Sequence, residues 1–123
     1  MAKKILVCDD AVEILEVINI ILTDNGYEVK TVEECIHIQE IVREFKPDLI
    51  LLDLWIKNCD GRDVAKEIKG QEDIANTPIF FVSALNELDK IANEAQVTGF
   101  IKKPFEMDDL LAKVGSVFED SED

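Results

Sequence analysis

Two aspartates, Asp9 and Asp10, stand side by side at the end of the aliphatic run "KKILVC", and a third, Asp53, ends another, "PDLILLD". Adjacent carboxylates repel, so a surface that only needs solubility spreads them out, whereas a site for a divalent cation brings them together. Ser83 lies at the end of a further apolar run, "TPIFFVSA", and Lys103, followed by Pro104, ends "FIKK". About three negative charges in one pocket would push at least one carboxylate pKa upward unless a cation compensated. Mg²⁺ suits such a pocket, because it takes a few carboxylates, keeps several waters and also holds a phosphate oxygen. A carboxylate is already deprotonated at neutral pH, and it can attack phosphorus to form an aspartyl phosphate without a general base. Lys103 and Ser83 are the residue types that would then stabilise the transferred group.

The elements that must bring these residues together follow from periodicity. "KKILVC" predicts a strand, and "AVEILEVINIILTDNG" a helix with apolar residues at Val12, Leu15, Ile18 and Leu22 and Gly26 at its C-terminal end. "YEVKTV" predicts a second strand, "EECIHIQEIVREF" a second helix and "PDLILLD" a strand buried on both faces. "GRDVAKEIKG", "TPIFFVSA", "ELDKIANEAQVTG", "FIKK" and "EMDDLLAKVGSVF" continue the alternation. Five strands alternating with five helices imply an α/β fold of right-handed βαβ units, a doubly wound five-stranded parallel sheet with helices on both faces. In such sheets the binding crevice lies beyond the carboxyl ends of the strands, which is where Asp9, Asp10, Asp53, Ser83 and Lys103 all fall.

Composition bounds the possibilities. The 123 residues are 47% hydrophobic, enough for one domain with one core, expected over residues 1–118, with 119–123, "EDSED", as a solvated acidic tail and natural terminus. A net charge of −14 would repel nucleic acid and anionic lipid, so neither is an expected direct partner. The apolar run of "MAKKILV" ends at Cys8, too short for a signal peptide or a membrane span, and a cytoplasmic location is expected. Cys8, Cys35 and Cys59 make an odd count with no CxxC pair, which reads as three reduced thiols.

The segments "DD", "LILLDLWIKNCDG", "TPIFFVSA" and "GFIKKPF", in that order and spacing from Lys3 to about Phe118, resemble the receiver domain of two-component response regulators. The resemblance implies a flavodoxin-like, CheY-like (βα)5 sheet of strand order 2-1-3-4-5. It implies that Asp53 accepts a phosphoryl group from a histidine kinase or a histidine phosphotransfer protein, and that Asp9, Asp10, Asp53 and the backbone carbonyl of Trp55 hold Mg²⁺. By the same resemblance Ser83 bonds a phosphoryl oxygen, Lys103 pairs with its charge, and Ser83 and Phe100 act as switch residues. Lys103–Pro104 stands where the family often has a cis peptide. The chain would then be a stand-alone response regulator rather than an enzyme, catalysing only its own phosphorylation and dephosphorylation. The fourth helix, fifth strand and fifth helix would present phosphorylation to a protein target, with the chain a monomer or a phosphorylation-dependent dimer.

Departures from the family pattern carry their own expectations. Trp55 and Leu85, each two residues beyond a site residue, are bulky and apolar where a hydrolytic water would pass. Phe100 lacks the hydroxyl of a hydrogen-bonding switch, and Lys57 stands where a proline is common. Asp10 followed by Glu13 also fits a helix capping box. His37 reads as a surface or boundary residue, Cys59 as a loop thiol with no neighbouring base, and Asp108 and Asp109 as a solvated cap. A haloacid-dehalogenase-type phosphatase would need an aspartate where Trp55 stands, and a flavodoxin would need a phosphate loop less acidic than "CDDAVE". A receiver-like interaction module that works without phosphorylation is the alternative.

Overall fold

The computed structural model describes residues 2–57 and 59–119. Among the described residues, seven strands and five helices follow one another as β1 (Lys4–Cys8), α1 (Val12–Asp24), β2 (Glu28–Val32), α2 (Ile38–Phe45), β3 (Leu49–Asp53), β4 (Trp55–Ile56), β5 (Cys59–Asp60), α3 (Gly61–Lys69), β6 (Ile79–Ser83), α4 (Leu88–Ala95), β7 (Gly99–Lys102) and α5 (Met107–Glu119). Five of the strands form one parallel sheet in the order β2-β1-β3-β6-β7. That is the expected 2-1-3-4-5 arrangement. The additional pair, β4 and β5, is a short antiparallel hairpin that the periodicity did not predict.

The central strands are buried end to end because both of their faces meet helices. Side chains alternate across the sheet, so each strand feeds two cores. Leu6, Ile50, Leu52 and Phe81 pack with Ile38, Val42, Val64, Ile68, Leu88 and Ala92 of α2, α3 and α4. Ile5, Val7, Leu51, Phe80 and Val82 pack with Leu15, Ile18, Leu22, Leu110 and Val114 of α1 and α5. Burying a side chain of this size contributes roughly 1.5–3 kcal/mol. The strand β2 is an edge and is largely exposed.

Several helix boundaries differ from expectation. The helix α2 starts at Ile38 rather than near Glu33, leaving 33–37 as a loop in which Ile36 is 74% exposed. Ala11, not Asp10, is the N-cap of α1, and no side chain caps it, so the Asp10 capping box does not form. Val12 faces solvent instead of the core. Beyond α1, Gly26 adopts φ +91°, a left-handed turn that a side chain would disfavour. The helix α5 runs through Glu119, and residues 120–123 of the expected tail lie outside the described residues. Among the described residues, no helix is long and apolar enough to cross a membrane.

Candidate functional site

Parallel pairing puts the carboxyl ends of β1, β3, β6 and β7 at one edge of the sheet, and each contributes its chemistry there. Cys8 pairs with Leu52, Asp53 with Val82, and Ser83 with Lys102. Asp9, Asp10 and Asp53 therefore converge, with one carboxylate oxygen from each lying within 4.8 Å of the others. Asp9 and Asp53 are buried and Asp10 is exposed.

Each acid is held by named partners. Asp9 Oδ1 accepts from the Ala11 N–H at 2.9 Å, and Asp9 Oδ2 accepts from Lys103 Nζ at 2.8 Å. Lys103 Nζ also lies 3.6 Å from Asp53 Oδ2, and its backbone N–H donates to the Ser83 carbonyl at 2.8 Å. The Lys103–Pro104 peptide is cis, as the family pattern implied. Asp53 Oδ1 accepts a longer bond, 3.4 Å, from the Trp55 N–H. Burial pushes the Asp53 carboxyl up to about 6; the charge of Asp9 adds to the rise, while Lys103 and the Trp55 N–H oppose it. A hard divalent cation fits this donor set, since all three groups offer carboxylate oxygens and a cation would offset both the burial of Asp53 and the neighbouring charge of Asp9. The neighbouring Cys8 thiol is fully buried and is pushed up to about 12 by that burial and by the same acids, which makes it inert.

The remaining expected residues take different places. Ser83 is buried, and its hydroxyl accepts from the Leu85 N–H at 3.3 Å. Trp55 is 53% exposed, with the Arg62 guanidinium 5.5 Å from its ring centroid. Arg62 in turn pairs with Asp60, whose side chain caps α3 by accepting from the Arg62 N–H at 2.8 Å. Phe100 is half-buried on β7, with Lys113 Nζ 5.0 Å from its ring centroid, and it lines a cavity of about 670 Å³ together with Lys103, Pro104 and Lys113. His37 is exposed beside Glu40, as expected of a surface residue.

Two features were missed. Cys35 and Cys59 form a disulfide, which corrects the expectation of three reduced thiols; only Cys8 is free. Nothing in a 24-residue separation announces this pair, because it depends on two loops meeting above the sheet. Gly61 is the second: a Cβ there would collide with the Asp53 carbonyl and come 2.9 Å from Leu54 Cα. Its N–H donates to the Leu54 carbonyl at 2.8 Å, so α3 begins in direct contact with the backbone of the candidate acceptor. The "DG" step was the only local hint.

Comparison with known proteins agrees with this geometry. The model of the response regulator receiver domain matches residues 5–115. The nisin biosynthesis regulatory protein NisR of Lactococcus lactis subsp. lactis is 38% identical over 117 residues, covering 93% of this chain and 49% of its own length. The DNA-binding dual master transcriptional regulator RpaA of Synechocystis is 32% identical over 113 residues, covering 90% of this chain and 47% of its own length. The chain thus spans about half the length of these curated relatives. RpaA is DNA-binding by name, so the expectation that nucleic acid is no partner finds no support among them. Among solved structures, the receiver domain of NtrX from Brucella abortus superposes with TM-score 0.84 at 29% identity, over 94% of this chain and 98% of that one. The chemotaxis protein CheY4 of Vibrio cholerae superposes with TM-score 0.86 at 25% identity, over 95% and 99%. Receiver domains are signalling phosphoacceptor domains that partner with histidine kinases and bind Mg²⁺ at an acidic pocket. With the sheet order, the acidic edge and the match over residues 5–115 in agreement, the chain belongs to the response regulator receiver domain family.

Proposed function

We propose that Asp53 is the phosphoacceptor of this receiver, taking its phosphoryl group from a phosphohistidine on a histidine kinase or a phosphotransfer protein. The observation that carries this reading is the convergence of Asp9, Asp10 and Asp53 with the Lys103 ammonium 3.6 Å from Asp53 Oδ2. Asp53, ionised above about 6, attacks phosphorus as the bond to the donor imidazole breaks and the imidazole leaves. Asp9, Asp10, Asp53 and the Trp55 carbonyl would hold Mg²⁺, which when bound neutralises charge on the acids and on the transferred group. Lys103 pairs with a phosphoryl oxygen, and the Ser83 hydroxyl bonds another. The chain acts on itself in this way and not as an enzyme on a separate substrate.

The readout we assign to α4, β7 and α5, through a shift between two states that ring packing at Phe100 and the Ser83 hydroxyl report. The target is a protein surface met by the chain as a monomer or as a phosphorylation-dependent dimer, in the cytoplasm. The net charge of −14 disfavours direct contact of these residues with a phosphate backbone.

The test mixes the protein with Mg²⁺ and a small acyl-phosphate donor and follows intact mass and Trp55 fluorescence, with Asp53→Asn as control. A single phosphoryl adduct that requires Mg²⁺ and is absent from the control supports the reading. No adduct, together with no Mg²⁺-dependent fluorescence change, would overturn it in favour of an interaction module that works without phosphorylation.

A further inference from the structure

The loop after β2 and the β4–β5 hairpin after β3 flank the acidic pocket, and the Cys35–Cys59 disulfide joins them with Cα atoms 6.9 Å apart. Each sulfur belongs to a segment anchored to one wall of the pocket. On the first side, the carbonyl of Glu34 accepts from Cys8 Sγ at 3.7 Å and the Val32 carbonyl accepts from the Asp9 N–H at 3.1 Å, tying this loop to the end of β1. On the other, Ile56 pairs with Cys59 and Trp55 with Asp60 in the hairpin that begins two residues after Asp53. A ladder of two residues per strand is marginal by itself, so what fixes the hairpin is its attachment at Gly61 and at Cys59. Both bonded cysteines are only half-buried, and a cavity of about 460 Å³, lined by Glu34, Cys35, Ile36 and Lys57, opens beside Cys35. Cys8, by contrast, is wholly enclosed and out of reach of a solution thiol.

We infer that Cys35 and Cys59 are a thiol–disulfide site that exchanges with dithiols and sets how firmly the neighbouring acidic pocket holds Mg²⁺, a regulation that rests on the phosphoacceptor reading of that pocket. In reduction, one thiolate of a dithiol attacks a sulfur of the pair and the Cys35–Cys59 bond breaks. The second thiol of the reagent then displaces the mixed disulfide. The reagent leaves as a disulfide, and its two hydrogens end on Cys35 and Cys59 as thiols. Oxidation by a disulfide reagent runs through the same two exchanges in reverse. While bridged, the segment carrying the Trp55 carbonyl is ordered before the cation arrives; once opened, binding must order it.

The experiment compares the full chain after treatment with dithiothreitol and after treatment with glutathione disulfide. Bond state is read by alkylation and intact mass, and Mg²⁺ alone is titrated by calorimetry and by the midpoint of the Trp55 fluorescence change. The oxidised form is expected to bind Mg²⁺ about tenfold more tightly. Cys35→Ser and Cys59→Ser are each expected to show the weaker value whatever the treatment. Equal affinities in the two forms, or free alkylation of Cys35 and Cys59 after oxidation, would overturn the inference. Equal Mg²⁺ affinities in the two forms, with a phosphoryl adduct still formed, overturn the inference and leave the phosphoacceptor reading standing. A redox-dependent Mg²⁺ titration with no adduct does the reverse, and no Mg²⁺ binding in either form overturns both.

Discussion

Lys103 Nζ lies 2.8 Å from Asp9 Oδ2 and 3.6 Å from Asp53 Oδ2, so one ammonium stands between two buried carboxylates and is closer to the one that does not accept phosphate in our reading. Its removal leaves the Asp9 side chain, 2% exposed, without its counter-charge. Stranding a buried charge in this way costs about 3 kcal/mol or more. Lys103→Gln is therefore expected to lose about 3 kcal/mol of stability in urea unfolding with a chelator present, and to regain most of it when Mg²⁺ is added. Full stability of the variant without Mg²⁺ would mean that Lys103 is not the counter-ion.

The Asp53 carboxyl gives a second prediction, in pH. It stands at about 6 in the folded chain against 3.8 for an aspartate in water, because burial and Asp9 disfavour its charge. Between those two values the folded chain keeps a proton that the unfolded chain has lost, so stability contributed by Asp53 is full at low pH and falls as pH rises through the window. The difference amounts to about 3 kcal/mol above it. Asp53→Asn, which carries no charge to bury, is expected to match the parent chain at pH 4 and to be more stable by about that amount at pH 7.5 in chelator. Mg²⁺ should narrow the gap by stabilising the parent alone. Parallel pH profiles for the two proteins would contradict this assignment.

Trp55 and Leu85 bear on how long a phosphoryl group survives. Both flank the proposed acceptor, Leu85 through its N–H bond to the Ser83 hydroxyl; neither side chain offers an acceptor or an ionisable group that could activate water, Trp55 having only its indole N–H donor. Replacing both with polar residues, Trp55→Asn with Leu85→Glu, is expected to speed dephosphorylation roughly tenfold, a barrier change of about 1.4 kcal/mol. Loss of the phosphoryl adduct, timed by intact mass after the donor is removed, measures it. An unchanged lifetime would show that these side chains do not govern water access.

Gly61 carries a prediction about backbone contact rather than side-chain chemistry. An added Cβ meets the Asp53 carbonyl and Leu54 Cα, which are main-chain atoms that cannot rotate away. Gly61→Ala is expected to lose about 1–3 kcal/mol in urea unfolding and to weaken Mg²⁺ binding, because relief requires moving the end of β3. Stability within experimental error of the parent would mean that α3 shifts without disturbing the site.

Much of this receiver can be read from local sequence. The runs "ILVC", "LILLD" and "IFFVS" are continuous and apolar because their strands are covered on both faces, and parallel pairing then carries whatever follows each strand to one edge. That is why Asp9, Asp10, Asp53, Ser83 and Lys103 can be placed at one edge of the sheet from the sequence alone. Periodicity within an element says nothing about how two loops meet. Cys35 and Cys59, the β4–β5 hairpin and the contact of Gly61 with Asp53 are pairings between segments whose own patterns carry no trace of the partner. The same limit applies to the charges. Three acids in one pocket implied that a pKa must rise, but only the folded chain decided that burial, more than the charge of Asp9, pushes the Asp53 carboxyl up against the opposing pull of Lys103. Residue types and their spacing along strands determined the fold and which side chains gather at its edge; the packing of segments 24 residues apart decided how that edge is held, because such contacts exist only once the sheet has brought the segments together.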